Sequence, residues 1–243
     1  MDRLIYLAMA GAKATMQRQD VLANNLANAS TNGFRAEMQA FRAVPVRGDG
    51  ATTRVYALES TIGHDVRPGP VQTTGRALDV AVMGNAWLAV QAVDGTEAYT
   101  RAGSLQVDAE GQLVGVSGLP VLGDGGPITV PAGASVEVAA DGSVVTQVGG
   151  ARPQVAGKLK LVTPETPAAL TRGTDGLFRA ADGELPADPT ARVQGGALEG
   201  SNVSPVETMV AMIAAARQFE QHMKMLQGAE QREQGAAKLL APQ

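Results

Sequence analysis

Apolar side chains recur at heptad spacing in two segments, one at each end of this 243-residue sequence. The N-terminal row is broken only at Gln19 and consists of Ile5, Met9, Ala12, Met16, Ala23 and Leu26. The C-terminal row consists of Met209, Met212, Ala216, Phe219, Met223 and Leu226. Sustained heptad spacing predicts helices that pack on other helices. Because both segments are terminal, each partner is either the other terminus or a neighbouring molecule, which indicates an assembling structural subunit rather than an enzyme.

Capping signals mark the ends of both predicted helices. The first is predicted from about Arg3 to about Asn28, with Asp2 as its N-cap and the stretch 30–33 as its stop signal. The last begins after a capping box in which proline occupies the first helical position, formed by Ser204, Pro205, Val206 and Glu207. We expect it to end at about Gly228 or Gly235, followed by a short tail.

Between the helices the sequence is rich in glycine and predicts short antiparallel strands. Residues 36–75 show no lasting period and predict an extended arm or linker, with room for a hairpin. Residues 76–197 alternate in short runs, and the Asp-Gly pairs that begin at Asp94, Asp124, Asp141 and Asp175 favour tight hairpin turns. We therefore predict an α+β protein whose central β domain is a sandwich or irregular barrel. The terminal segments, 1–35 and 198–243, are predicted to form a discontinuous, coiled-coil-like core domain.

Composition excludes several classes of function. A net charge of −4 gives no basic surface for nucleic acid, and aromatic residues make up only 3% of the chain. Cysteine is absent, so disulfides, thiolate metal sites and cysteine nucleophiles are excluded. Acidic Asp2, together with Lys13 and Arg18, argues against a cleaved signal peptide, and no segment is apolar enough to insert in a membrane. Such a chain, if exported, leaves by a route without cleavage.

The remaining chemistry-bearing residues have simple structural interpretations. His64 and His222 are far apart, so we expect no metal, and no cofactor motif is present. Asp108 and Glu110 precede a glycine and are interpreted as a hairpin turn rather than a calcium loop. Two aromatics, Trp87 and Tyr99, are predicted to be core residues. We expect no catalytic residue.

Three stretches of the sequence resemble the signatures of bacterial flagellar rod and hook proteins. The N-terminal stretch is ANNLANASTNGFR, from Ala23 to Arg35. The central stretches are TGRALDVAVMGNAWLAVQ, YTRAGSLQVDAEGQLV and GLPVLG, between Thr74 and Gly123. The C-terminal stretch is LEGSNVSPVETMVAMIAAARQFEQHMKML, from Leu198 to Leu226. The opening MDRLIY and the modest length are most similar to the proximal-rod branch of the family.

The resemblance implies a fold, a location and a set of partners. It implies that the two termini line an axial tube, with the β-rich domain outside, and that the rod transmits torque and leaves a central channel. It implies transient contact with the flagellar type III export apparatus, assembly in the periplasm, and binding to other copies and other rod proteins. The implied polymerising segments are the C-terminal helix from Ser204 and the N-terminal helix with Asn24, Asn25, Leu26 and Asn28. Asparagines in such an interface would fix its register, and Gly33 would allow a sharp exit into the arm.

Other functions remain open at this point. One is a periplasmic glycan-binding module that the helices only oligomerise; another is a distal-rod or hook member of the same family. A wall hydrolase would need a pair of carboxylates, for which Glu97 and Asp79 are the only candidates. Because isolated helices are marginally stable in water, we predict that the free monomer keeps its β domain folded while both ends are mobile.

Overall fold

The computed structural model describes residues 2–45, 55–166, 169–181 and 183–240, and it shows an α+β protein with a long helix at each end. Along the chain the elements are α1 (Asp2–Ala27), β1 (Glu37–Pro45), β2 (Val55–His64), β3 (Val71–Thr73), β4 (Val80–Val82), β5 (Trp87–Gln91), β6 (Glu97–Thr100), β7 (Leu105–Val107), β8 (Leu113–Gly115), β9 (Leu122–Gly123), β10 (Gly126–Pro127), β11 (Ala134–Val138), β12 (Ser143–Val148), β13 (Gln154–Lys158), β14 (Leu161–Val162), β15 (Leu170–Arg172), β16 (Phe178–Ala180), β17 (Val193–Gly195), β18 (Ala197–Glu199) and α2 (Pro205–Leu240).

The chain divides into two compact units, each built from separate stretches of sequence. We call the first the helical unit; it consists of Met1–Asn28, Glu37–His64 and Val203–Gln243. We call the second the β unit; it consists of Ala29–Ala36 and Asp65–Asn202. The chain therefore passes between the two units four times. Neither unit can be completed by one continuous stretch of sequence.

Within the helical unit, α1 packs against α2, and small side chains occupy the buried positions. Ala8 and Thr15 of α1 are buried, whereas their neighbours Met9 and Met16 are 54% and 56% exposed. Buried and half-buried side chains of α1 keep heptad steps along the row Ile5, Ala8, Ala12, Thr15, Gln19, Leu22 and Leu26. This row differs from the apolar row of the sequence at every second member. Ala8 and Thr15 replace Met9 and Met16, because close helix packing favours small side chains, and Leu22 replaces Ala23.

The same shift occurs in α2. Thr208 and Ala215 are buried, whereas Met209 is 45% exposed. The buried and half-buried row is Thr208, Met212, Ala215, Phe219, His222, Leu226 and Ala229, again with heptad steps. The two helices approach closely at Gly11, where an added Cβ would lie 2.4 Å from Cε1 of His222.

Strands β1 and β2 form an antiparallel pair in the helical unit, with a register shift between Met38 and Gln39. They lie in the stretch 36–75, for which the sequence predicted an extended arm with room for a hairpin. The second helix also differs in length from its prediction, since α2 continues past Gly228 and Gly235 to Leu240. A glycine costs about 1 kcal/mol in a helix interior, and the alanines and long polar residues around both glycines are good helix formers that offset this cost.

The β unit confirms the predicted antiparallel strands, but its sheets are small. One sheet has five strands in the order β14-β5-β6-β16-β15, another has three in the order β11-β12-β13, and the other strands of this unit form two-stranded ribbons. The Asp-Gly pairs at Asp94, Asp124, Asp141 and Asp175 each lie at a hairpin connection, between β5 and β6, β9 and β10, β11 and β12, and β15 and β16 respectively.

Two hydrophobic clusters fill the β unit. The larger includes Val80, Leu88 and Leu113, each with no exposed surface. The smaller contains Trp87 and Tyr99, which confirms their predicted place in the core. Burial raises the pKa of the Tyr99 hydroxyl, whose oxygen accepts a 2.7 Å hydrogen bond from the backbone N–H of Leu185. Among the described residues, no helix is both long and apolar enough to span a membrane.

Gly103→Ala is expected to lower the free energy of unfolding of the β unit by about 3 kcal/mol, because the new Cβ would lie 1.7 Å from the carbonyl oxygen of Val80. Gly125→Ala is the control, since its Cβ would meet nothing within 4 Å, and we expect a change within about 0.5 kcal/mol. Urea unfolding followed by the fluorescence of the single tryptophan measures both. Equal losses in the two variants would contradict the close approach at Gly103.

Candidate functional site

The helical unit carries an apolar stripe on α2 that this chain leaves open to solvent. Val206, Val210 and Ile213 are 67%, 62% and 55% exposed, and Met209 lies beside them. The spacing of three and four residues places all four on one side of the helix. An exposed apolar surface of this kind is a candidate interaction site. Alignment along one helix predicts a helical partner.

Helix α1 has an exposed apolar row of its own. Met9 and Met16 are seven residues apart and therefore point in nearly the same direction, and Tyr6 is 60% exposed one turn before Met9. The exposed Ala23 continues this row at the next heptad step. Each helix thus buries small side chains and leaves an apolar row on its outside.

The residues predicted from sequence to form the assembly interface fall into three groups. Those exposed on the helices are Met9, Met16, Ala23, Asn24, Val206, Met209 and Met223, with Ser204 exposed just before α2. Those half-buried are Ile5, Leu26, Asn28, Met212, Ala216, Phe219 and Leu226. Those buried are Ala12, Asn25 and Gly33, the last of which belongs to the β unit. The exposed group is the set available to a neighbouring molecule.

Asn25 has a role within the chain. Its side-chain Oδ1 accepts a 2.9 Å hydrogen bond from the backbone N–H of Glu37, and its Nδ2 donates a 3.0 Å bond to the carbonyl oxygen of the same residue. Both polar ends of the amide are therefore satisfied by the first residue of β1. This pairing joins the last turns of α1 to the β1–β2 pair.

A shallow cavity of about 320 Å³ lies beside this junction, lined by Arg18, Val21, Leu22, Asn25, Glu37 and Gln39. One of these lining residues, Gln39, donates a 3.3 Å hydrogen bond from Nε2 to the carbonyl oxygen of Gln17 in α1.

The β unit contains a buried ion cluster that sequence reasoning missed. The carboxylate of Glu199 lies 2.6 Å from Nη1 of Arg35 and 2.6 Å from Nη2 of Arg101. The three side chains are only 1–2% exposed. One buried carboxylate thus faces two buried guanidinium groups. Charges out of water are tolerated only when they are paired and hydrogen-bonded, so each arginine depends on Glu199.

Of the two arginines, Arg101 has more hydrogen-bond acceptors around its guanidinium group. Its Nη1 donates to the carbonyl oxygens of Gly84 and Ala86 at 2.9 and 2.5 Å, and its Nη2 donates to that of Val82 at 2.6 Å. Its guanidinium also lies 5.9 Å from the centre of the Trp87 ring. Burial lowers the pKa of Arg101, and the charge of Glu199 opposes that shift. Arg35 has fewer partners, since its Nε is buried without a hydrogen bond.

Gly33 adjoins this cluster and explains why a glycine is required there. Its φ of +70° lies in the left-handed region, and an added Cβ would lie 2.3 Å from the backbone carbon of Arg101. The backbone N–H of Gly33 donates a 2.8 Å hydrogen bond to the carbonyl oxygen of Glu199. The sharp turn expected after the first helix is therefore present, and it fits against the segment that leads to α2.

The candidate hydrolase carboxylates are each held by a basic side chain. Glu97 accepts a 2.6 Å bond from Nζ of Lys160, and Asp79 lies 3.5 Å from Nε of Arg76. In the described part of the chain, no group of three or more histidine, aspartate or glutamate residues is placed to hold a metal ion. The stretch Asp108–Gly111 forms the turn between β7 and β8, as the sequence predicted.

Three protein-family models match the chain, all from flagellar proteins. Residues 5–35 match "Flagella basal body rod protein", residues 81–146 match "Flagellar hook protein FlgE/F/G D1 domain", and residues 194–239 match "Flagellar basal body rod FlgEFG protein C-terminal". Each matched region supplies one member of the ion cluster: Arg35, Arg101 and Glu199. In the sequence these members are single charged residues inside the stretches GFR, YTR and LEG, and nothing there shows that they pair.

Relatives match over nearly the whole chain. The flagellar basal-body rod protein FlgF of Salmonella typhimurium (strain LT2) is 48% identical, and the alignment covers 99% of each chain. FlgF of Escherichia coli (strain K12) is 49% identical with the same coverage. FlgG of Bacillus subtilis (strain 168), also a flagellar basal-body rod protein, is 30% identical over 93% of this chain and 94% of its own.

Glu199→Gln is expected to lower the free energy of unfolding by about 3–5 kcal/mol, because it leaves two buried guanidinium groups without a counter-charge. Asp175→Asn is the control: its 2.7 Å ion pair with Arg179 is partly exposed, and its loss should cost less than about 1 kcal/mol. Chemical unfolding monitored at Trp87 gives both values. A cost for Glu199→Gln as small as that for Asp175→Asn would contradict the dependence of the arginines on this carboxylate.

Proposed function

This chain belongs to the flagellar basal-body rod protein family, among its FlgF members, and from that premise we propose that it is a structural subunit of the rod. Its terminal helices bind other copies of the chain and other rod proteins, and the resulting tube transmits torque from motor to hook around an export channel. The observation that carries this proposal is the pair of exposed apolar rows on α1 and α2. A glycan-binding module would not require these rows, and the relatives give no support to that alternative.

Geometry favours an assembly that continues from subunit to subunit. The row on α1 contains Tyr6, Met9 and Met16, and the row on α2 contains Val206, Val210 and Ile213. Because the two rows differ, α1 of one subunit can contact α2 of the next. A heterologous contact of this kind produces a ring or an open helical array rather than a closed dimer. An axial rod requires such an array.

Within one subunit, we infer that α1 and α2 form a coiled-coil-like pair and that residues 1–35 and 198–243 are the polymerising segments. The heptad steps of both buried rows support this inference. The methionines of the outer rows are unbranched and flexible, so they can adapt to several different neighbours along a rod.

The proposal also covers how the subunit is exported and where in the basal body it assembles. The subunit passes the flagellar export apparatus and assembles in the periplasmic part of the basal body. The opening MDRLIY and the modest length support a place in the proximal rod. We propose no catalytic role, since the relatives' names describe a component of the rod.

Ile213→Glu is expected to reduce incorporation of the chain into basal bodies at least tenfold and to abolish swimming, because it places a charge in the apolar row of α2. Gln218→Glu is the matched control; it adds the same charge to an exposed position of the same helix, about 140° away around the axis. The amount of each variant in purified basal bodies is the measurement, with circular dichroism of the free proteins to compare their helix content.

Both variants should have the helix content of the wild type, because both positions are exposed. Wild-type incorporation of Ile213→Glu would show that this row does not bind a neighbouring subunit.

A further inference from the structure

Three segments of the β unit meet where the chain enters or leaves that unit. The first is 29–36, which follows α1; the second begins at Asp65, which follows β2; the third ends at Asn202, which precedes α2. Backbone hydrogen bonds join them: the N–H of Gly33 donates to the carbonyl oxygen of Glu199 at 2.8 Å, and the N–H of Asp65 donates to that of Ala36 at 2.7 Å. We call this group the crossing clasp; its members are Gly33, Arg35, Ala36, Asp65, Glu199 and Asn202.

The side chain of Asn202 joins all three segments. Its Oδ1 accepts a 2.7 Å hydrogen bond from the backbone N–H of Ala36. Its Nδ2 donates to the carbonyl oxygens of Asp65 and Arg67 at 3.0 and 2.9 Å. Its own backbone N–H donates to the carbonyl oxygen of Phe34 at 3.3 Å. No shorter or apolar side chain could replace these contacts.

The buried pair of Arg35 and Glu199 adds a charged link between the first and third segments. Because both side chains are 1% exposed, separating the segments would leave charges buried and unpaired, or would require the surrounding core to open. The Arg35–Glu199 ion pair is therefore expected to be either fully formed or fully separated, because a partly separated buried pair is unfavourable. The ion pair makes separation of the first and third segments unfavourable, and the hydrogen bonds of Asn202 fix the relative positions of all three segments.

We propose that the crossing clasp is a conformational device that makes the pairing of α1 with α2 conditional on a closed β unit. The two helices are covalently separated by about 180 residues, from Ala27 to Pro205. When the clasp is closed, the path from α1 through Phe34 and Asn202 to α2 shortens to roughly ten residues. The pairing of α1 with α2 then requires closure of only this short connection.

The size of the effect follows from the length dependence of loop closure. Effective concentration falls as roughly the 3/2 power of the connecting length, so an 18-fold shorter path raises it roughly 50- to 100-fold. A subunit of the rod would then present paired helices only after its β unit has closed. This consequence rests on the proposed function, whereas the coupling itself is a property of the free monomer.

The test uses the absence of cysteine in the natural sequence. Gly11→Cys and His222→Cys together place two thiols where the side chain of residue 222 contacts position 11. The equilibrium of their disulfide against glutathione measures the effective concentration of α1 and α2 for each other. This experiment on the full-length monomer involves no other rod subunit and no assembly step. Its failure would therefore leave the rod assignment intact, and failure of the rod assignment would leave this measurement valid.

Three backgrounds are compared with the unchanged clasp. Asn202→Ala removes the amide contacts and leaves the ion cluster whole. Arg35→Met removes one guanidinium but leaves Glu199 paired with Arg101, so the core keeps a neutral pair. Lys160→Met is the control, because it breaks the 2.6 Å ion pair with Glu97 inside the same unit and away from the clasp. Trp87, buried beside Arg101, reports by its fluorescence whether the β unit is folded.

We expect the effective concentration to fall at least threefold in Asn202→Ala and in Arg35→Met, and further when the two are combined, while Lys160→Met leaves it unchanged. A fall in the single variants with a native Trp87 spectrum supports the device. An unchanged value in both clasp variants overturns it, whatever the Trp87 spectrum, because the helices would then pair without the clasp. An equal fall in Lys160→Met also overturns it, because the effect would then be one of general stability.

Discussion

The carboxylate of Glu199 lies between the guanidinium groups of Arg35 and Arg101, almost without contact with water. A buried arrangement of this kind adds little to stability compared with a well-packed apolar core, but losing one member is costly. Its contribution here is specificity, since it requires three regions far apart in sequence to meet at one point. Glu199 pairs with Arg35 from the first of these regions and with Arg101 from the second.

The helical unit obeys a different constraint, namely how closely two helices can approach. Alanine, glycine and threonine line the contact between α1 and α2, and Gly11 leaves room for His222. The larger methionines, such as Met9 and Met209, are displaced to the outside, where they remain exposed. Small residues thus pair the helices within a subunit, and the outer rows are left to bind neighbouring subunits. A rod subunit needs both properties at once.

Sequence patterns predicted the elements of this protein better than their contacts. The helix start at Pro205 and the hairpin turns at residues such as Asp141 depend on the backbone preferences of a few neighbouring residues. The sequence alone therefore predicts them. The end of α2 was predicted too early, because the free-energy cost of Gly228 in a helix is offset by the helix-forming residues around it. Apolarity predicted a helical partner for Met16 but did not say whether that partner lies in the same chain; within the chain Thr15 is buried and Met16 is exposed. The ion cluster was missed because its members are distant in sequence, and charge alone does not reveal pairing.

Methionine oxidation offers the most direct test that the outer rows bind neighbouring subunits. The free protein and the assembled rod would be treated with hydrogen peroxide, and sulfoxide formation at each methionine measured by mass spectrometry. Met9, Met16 and Met209 should oxidise readily in the free protein and be protected in the rod, while Met83, which is 45% exposed in the β unit, should provide the reference. Equal oxidation of the three helix methionines in both states, relative to Met83, would contradict the account.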